Sequence, residues 1–313
     1  MIPSAGKSQR TARVRCIFFA GIVSALLSAS VYEPAATIAL LGDVMLGRGV
    51  ARAHADGQWG NTLQSLTPIL QAADLALANL ESPLDCAGTA ATGSRVLIAP
   101  PESVEALTSA GLDVLSIANN HALDAGAAGI LCTRNALAAH GLSVLDSESV
   151  LLENIRGIRL AFLAADFVSG NSPGQMNALA DQVRRLHREG RIVVVSLHWG
   201  MEYQAGSDDL QKRIARLLAD SGANILWGHH PHAVQETDWI GDTLILYSLG
   251  NAVFDQILPS SARRGEVAWV EVDRGGVRFW ASMQFNIDAH FGRTGSWNLP
   301  TFRFFAVPGT SGH

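Results

Sequence analysis

Three histidines fall within four residues in Gly228-His229-His230-Pro231-His232, and His121 and His198 each follow another apolar run. Acids and amides accompany them. Gly42-Asp43 follows one run, Asn79-Leu80-Glu81 a second, and Asn119-Asn120-His121 with Asp124 a third. His198-Trp199-Gly200 with Glu202 follows a fourth, and Ser248-Leu249-Gly250-Asn251 ends the series. Singly, each piece has a plain structural account as a turn, a helix cap or a satisfied polar ring. Together they do not, because desolvating so many polar rings without partners is costly. Carboxylate, amide oxygen and imidazole without thiolate suit Mn, Fe or Zn. Asp43 and Glu81 are the candidates for a carboxylate that bridges two such ions. A paired centre polarises a phosphoryl group and generates hydroxide near neutral pH. His121 is then the candidate to protonate a leaving alkoxide, with Asp124 orienting it. No serine nucleophile is expected. His54 in a polar loop, His187 on a charged helix, His140 at a helix C-terminus, and His290 and His313 in the tail are expected to play no part.

The elements that position these residues are legible as short apolar runs alternating with amphipathic ones. The expected strands are Thr37–Leu41, Leu75–Ala78, Val114–Ala118, Arg159–Ala164, Ile192–Leu197, Asn224–Trp227 and Thr243–Tyr247. They are nearly continuous in apolar residues, as strands covered on both faces are. The expected helices are Glu102–Ala110, 127–140, Asn177–Glu189 and Asp208–Ser221, each followed by a glycine that can take the left-handed stop conformation. Repeated alternation means an α/β fold, and in such sheets the loops at the carboxyl ends of the strands converge on one crevice. After Asn251, Glu266–Asp273 and Val277–Phe285 read as an antiparallel hairpin added to a sheet edge. No linker or repeat divides the chain, so one domain is expected.

Of 313 residues, 48% are hydrophobic and 16% charged, which excludes a disordered chain. Residues 1–31 carry Lys7, Arg10, Arg13 and Arg15, then an apolar run from Cys16 to Val31, the order of an export signal. The segment is either a cleaved signal peptide or an uncleaved membrane anchor. The protein is therefore expected to be exported, either periplasmic or extracellular, or held at the membrane by this segment. Removing residues 1–30 takes four positive and no negative charges from a net −5, leaving −9. An acidic body argues against nucleic acid as a partner; a polyanion would have to be met by local arginines or by metal. Cys86 and Cys132 either pair in an oxidising compartment or lie apart as core thiols.

The motifs resemble those of the CapA (PgsA-like) family of poly-γ-glutamate capsule synthesis proteins. The matching stretches are 42–48, 79–84, 118–121, 198–203, 228–235 and 247–251, in the family's order and spanning roughly 37–256. The resemblance implies a calcineurin-like metallophosphoesterase fold, a β-sandwich flanked by helices, over 37–288 with a tail at 289–313. It implies a divalent metal centre, two ions, with Asp43, Glu81, Asn120, His198, His230 and His232 as ligands and His121 as the catalytic histidine. The run 229–232 by itself leaves open which two of its histidines bind. Arg48, Asn79, Glu202, His229 and Asn251 are expected at the substrate. Met45 stands where metallophosphoesterases carry the histidine of Asp-x-His, and the Asn79/Glu81 pair replaces their second-strand aspartate, so one ion is expected to be weakly held or absent. Ala252 replaces a phenylalanine, which suggests a missing aromatic wall, and Asp166 has no assigned role. Two functions follow: a metal-dependent hydrolase acting on a phosphoester or a γ-glutamyl amide, or a non-catalytic component that binds polyglutamate within a membrane synthase complex.

Overall fold

The computed structural model describes residues 34–86 and 96–287 and the backbone of 302–305; the N-terminal segment, His290 and His313 lie outside them. The chain opens with β1 (Ala36–Val44), α1 (Arg48–Ala53), α2 (Thr67–Ala72) and β2 (Leu75–Leu80). It continues through α3 (Val104–Ala110), β3 (Val114–Ser116), α4 (Gly126–Ala139) and β4 (Ser143–Leu145). Next come β5 (Leu151–Ile155), β6 (Ile158–Asp166), α5 (Pro173–Arg188), β7 (Ile192–His198), α6 (Asp209–Asp220) and β8 (Ile225–His229). It closes with β9 (Thr237–Ile240), β10 (Thr243–Leu246), β11 (Asn251–Val253), β12 (Arg264–Asp273), β13 (Gly276–Asn286) and β14 (Phe302–Phe305).

The strands form two sheets. One runs β14-β13-β12-β1-β2-β3-β4, with β11 paired to the end of β1; the other runs β5-β6-β7-β8-β10-β9. The reason is written in the alternation of each apolar run. Ile38 and Leu40 of β1 point to the same core as Leu160, Phe162 and Ala164 of β6 and Val194 of β7, between the sheets. Ala39 and Leu41 face the other way, onto Leu70 of α2, Leu107 of α3 and Leu137 of α4. Ala161, Leu163 and Ala165 of β6 likewise turn outward to Leu179 and Val183 of α5 and Ile214 and Leu218 of α6. A strand with period-two side chains that are apolar at every position feeds two cores at once. At about 1.5–3 kcal/mol for each fully buried Leu, Ile or Phe, slipping any strand by one residue exchanges its two faces and mismatches both cores. The result is helix, sheet, sheet, helix: the sandwich flanked by helices that the resemblance implies.

Helix punctuation follows local chemistry. Asp208 and Gln211 form a reciprocal capping box on α6, and Gly111 and Gly222 end α3 and α6 at φ +86° and +95°. Helix α5 starts four residues before the expected Asn177, because Ser172 caps it by accepting the Gln175 N–H at 3.2 Å and Pro173 fits its first turn. The hairpin β12–β13 pairs antiparallel with β1, and β14 extends the sheet beyond it. Strands β4, β5, β9, β11 and β14 were not expected. Cys86 and Cys132 form a disulfide, tying the segment after β2 to α4.

Candidate metal centre

The strands carry the site themselves, not only their loops. Asp43 lies inside β1, Asn79 inside β2, and His198 and His229 are the last residues of β7 and β8. Register brings them together: Asp43 pairs with Asn79 on one side and Asn251 on the other, while His198 pairs with His229 in the second sheet. The two sheets thus bring their carboxyl ends to one buried crevice.

Glu81 stands at its centre. The residue is fully buried, and neither carboxylate oxygen has a hydrogen-bond partner. Around Oε1 stand His232 Nε2 at 3.7 Å, His198 Nε2 at 3.8 Å and His121 Nε2 at 4.0 Å. The donor atoms fall into two sets that share Glu81: Glu81, His198 and His230, and Asp43, Glu81 and His232, each with its ligand atoms within 4.8 Å of one another. Asn120 joins the first through a 2.8 Å contact between its Oδ1 and His198 Nε2. His198 Nδ1 and His230 Nδ1 are also buried without partners. Buried polar atoms are ordinarily bonded, so a bare carboxylate ringed by imidazoles fits a centre that holds divalent cations. The backbone carries the same mark: His230 and His232 sit at φ +93° and +52°, where a residue with a Cβ is strained by about 1–3 kcal/mol unless its surroundings impose it.

Asp43 is the well-partnered carboxylate. It accepts from Asn79 Nδ2 at 2.8 Å and the His230 N–H at 3.1 Å, and His229 and His232 approach within 3.4 and 3.5 Å. Burial would raise its pKa, but bonds and charge from His229 and His232 hold it well below the usual carboxylate range. Burial pushes Glu81 well above that range against the pull of His232. It lowers His198 strongly and His230 to about 4. His232 resists burial, because Glu81 and Asp43 raise it to about 9. His198 and His230 are thus held as neutral imidazoles, the ligand form, whereas His232 is held as a cation against Asp43 and Glu81.

Within 229–232, His230 and His232 are the histidines that fall in the donor sets. His229 packs edge-on against Trp227 with Nδ1 3.4 Å from Asp43 Oδ1, and both its buried ring nitrogens lack a hydrogen-bond partner. Asn79 is also turned to Asp43, and Asn119 holds it by donating to Asn79 Oδ1 at 3.1 Å. Asn251 contacts His232 Nδ1 at 2.9 Å. Asn79 and Asn251 thus brace Asp43 and His232. Asn119 is a supporting residue that sequence reasoning passed over as a turn. His121 is held through Nδ1 by Asp124 at 2.9 Å, and Asp124 also accepts the Leu97 N–H. Arg48, at φ +47°, pairs with Asp255 and lies over the Phe254 ring, 5.7 Å from its centroid. The Phe254 ring lies 4.6 Å from that of His232 at a 60° tilt, so an aromatic wall is present despite Ala252. Glu202 is exposed at the crevice mouth.

Met45 supplies nothing to the crevice: it is buried in the apolar core, and its sulfur accepts the Gly47 N–H. Asp166 closes a turn by accepting from Val168 and Ser169. His54 is a core histidine stacked on Trp59 and bonded to Thr62. The Gly-x-Ser-x-Gly spacing of serine hydrolases does occur at 170–174, but its Ser172 is the cap of α5 and not a nucleophile.

The fold is the helix-flanked β-sandwich that the resemblance implies, with carboxylate, amide and imidazole side chains gathered at its strand ends. Within it, the chain belongs to the family described as bacterial capsule synthesis protein PGA_cap, whose model matches residues 37–256. It is 32% identical over 237 residues to the PGA biosynthesis protein CapA of Bacillus subtilis (strain 168), covering 69% of this chain and 62% of that protein. It is 30% identical over 246 residues to the capsule biosynthesis protein CapA of Bacillus anthracis, covering 70% and 60%. The chain therefore spans about three fifths of these curated relatives. A hypothetical protein from Thermus thermophilus shares the fold at TM-score 0.53 and 17% identity, over 80% of this chain and 99% of its own.

Proposed function

We propose that this protein is an envelope component of poly-γ-glutamate capsule biosynthesis or export, and that its centre is a metal-dependent phosphoesterase-type hydrolase with two ions of Mn, Fe or Zn. The observation that carries the reading is Glu81, a buried and unbonded carboxylate common to two donor sets. Glu81, Asn120, His198 and His230 would hold one ion, and Asp43, Glu81 and His232 the other. Bound there, the cations supply Lewis acidity for a phosphoryl group and ease proton loss from water. His121, facing Glu81 and held by Asp124, is the group that hands a proton to the leaving oxygen. Arg48 lies at the mouth and would meet an anionic substrate, whether a phosphoester or a polyglutamate carboxylate.

Export is part of this proposal. The disulfide suits an oxidising compartment, and residues 1–31 would direct or anchor the chain, bringing it to a membrane synthase complex. Among the described residues, no helix is long and apolar enough to cross a membrane. One observation favours a non-catalytic, polymer-binding role: Met45 leaves the Asp43 side a ligand short. Elemental analysis with an aryl-phosphodiesterase assay separates the two. About two ions per chain, with metal-dependent turnover abolished by His121→Ala, is the expected result. His198→Ala and His230→Ala should each lower bound metal while His187→Ala leaves it unchanged. One ion or none, without turnover under any added metal, would replace the hydrolase with the binding role.

A further inference from the structure

Glu202 belongs to neither donor set that shares Glu81, yet its carboxylate stands within 4.8 Å of ligand nitrogens of both His230 and His232. These histidines come one from each set, so Glu202 overlooks the space between them from the open side. Its position is not that of a loosely held surface acid. The Tyr203 N–H donates to Pro231 O at 2.7 Å, stitching the loop after β7 to the bend between the two histidines. Gln235 Nε2 donates to Gln204 O at 3.1 Å, and Gln256 Nε2 donates to the Tyr203 hydroxyl at 2.9 Å. Tyr203 itself is held at φ +62°. On the other side of Glu202 the Trp199 N–H donates to His229 O at 3.2 Å, so the loop is fixed before and after Glu202, in a conformation that a free loop would not choose.

The Asp43, Glu81 and His232 set lacks the donor that Met45 cannot supply. We propose that Glu202 is the missing ligand, completing that position from the solvent side. This rests on the two-ion reading of the centre. A carboxylate oxygen is a donor that Mn, Fe and Zn all accept, and an exposed one loses little hydration in turning onto a cation, unlike the buried acids. The assignment replaces the substrate contact expected of Glu202, and it makes the second ion the one that responds to the loop.

The test is metal uptake, independent of turnover. Full-length protein stripped with chelator is titrated with Mn2+ alone, by calorimetry and by electron paramagnetic resonance, which reads the exchange-coupled pair. The wild type is expected to take two ions, one tight and one weaker. Glu202→Gln should keep the tight ion and weaken the second at least about tenfold, by the scale of losses around metal ligands, with loss of the coupled signal. Glu202→Asp should restore part of it. Two ions with unchanged constants in Glu202→Gln would overturn this assignment and leave the two-ion centre standing. Fewer than two ions in the wild type would overturn both.

Discussion

Replacing Glu81 by Gln should stabilise the metal-stripped protein while destroying its affinity for metal. The buried charge costs several kcal/mol when uncompensated, and neither oxygen of Glu81 is bonded. His232 and Arg48 return part of that cost, while Asp43 and Glu202 add to it. The balance is unfavourable, because the pKa stands well above the ordinary range with burial as the largest cause. Gln keeps the shape and removes the charge. In excess chelator near neutral pH, the gain should be about 1–3 kcal/mol, each kcal/mol raising Tm by about 2–4 °C in a domain of this size. The pH dependence fixes the cause. An unfolded glutamate ionises near pH 4.3, whereas the folded one keeps its proton to higher pH. Native protein thus binds more protons in that window, and wild-type stability falls as pH rises from the unfolded to the folded pKa. The gain from Glu81→Gln is therefore small at about pH 4 and full only above the folded pKa. With Mn2+ at about a thousand times Kd the order reverses, since the wild type then gains about 4.1 kcal/mol that the variant does not. Urea denaturation at both pH values, with and without metal, reads all three. A variant less stable than wild type in chelator at neutral pH, or a gain equal at both pH values, would refute the reasoning.

Asp43→Asn should behave oppositely, losing about 1.5–3 kcal/mol in chelator, because Asp43 is a bonded carboxylate held below the usual range. That contribution is present above about pH 3.9 and lost as pH falls through the folded pKa, so denaturation curves of variant and wild type should converge in strong acid. Cys86→Ser with Cys132→Ser, opening a loop of 46 residues, should cost about 2–4 kcal/mol on the chain-entropy scale, measured by the same denaturation. Gly228→Ala should cost about 3 kcal/mol or more and lower bound metal: its Cβ would lie 2.0 Å from Tyr247 O and 2.5 Å from Trp199 Nε1, the two atoms of a buried bond. Gly241→Ala, with open space around it despite φ +59°, should cost only about 1–2 kcal/mol; equal losses in the two would refute the packing argument.

The principal α/β strands were legible because their runs are apolar at every position, which only a doubly covered strand tolerates. Which sheet each strand joins was not, since β6 and β2 share one pattern and differ only in neighbours. Strand β5 alternates half-buried and exposed positions as an edge strand does, a signal too short to separate from a loop. The metal-ligand types were legible from their recurrence at strand ends. Their roles needed register: His229 and His230 are adjacent in sequence, yet the end of β8 turns one behind Asp43 and the other into the donor set. Arg48 was visible but its partner Asp255 was not, because 207 residues separate them and neither carries a local signal.

Charge makes the metal more than a catalyst in this reading. The body without residues 1–30 is acidic, and Asp43, Glu81 and Glu202 add three carboxylates to a crevice with one nearby arginine. Such a surface repels a polyanion. Two divalent cations would bring four positive charges against those three, reversing the sign of the crevice while leaving the body acidic. Binding of polyglutamate, and not only its turnover, would then depend on metal. The same inversion accounts for the tolerance of a costly Glu81: the carboxylate that weakens the stripped protein is the one both ions would share, so the instability of the empty crevice and its affinity for cations have one origin.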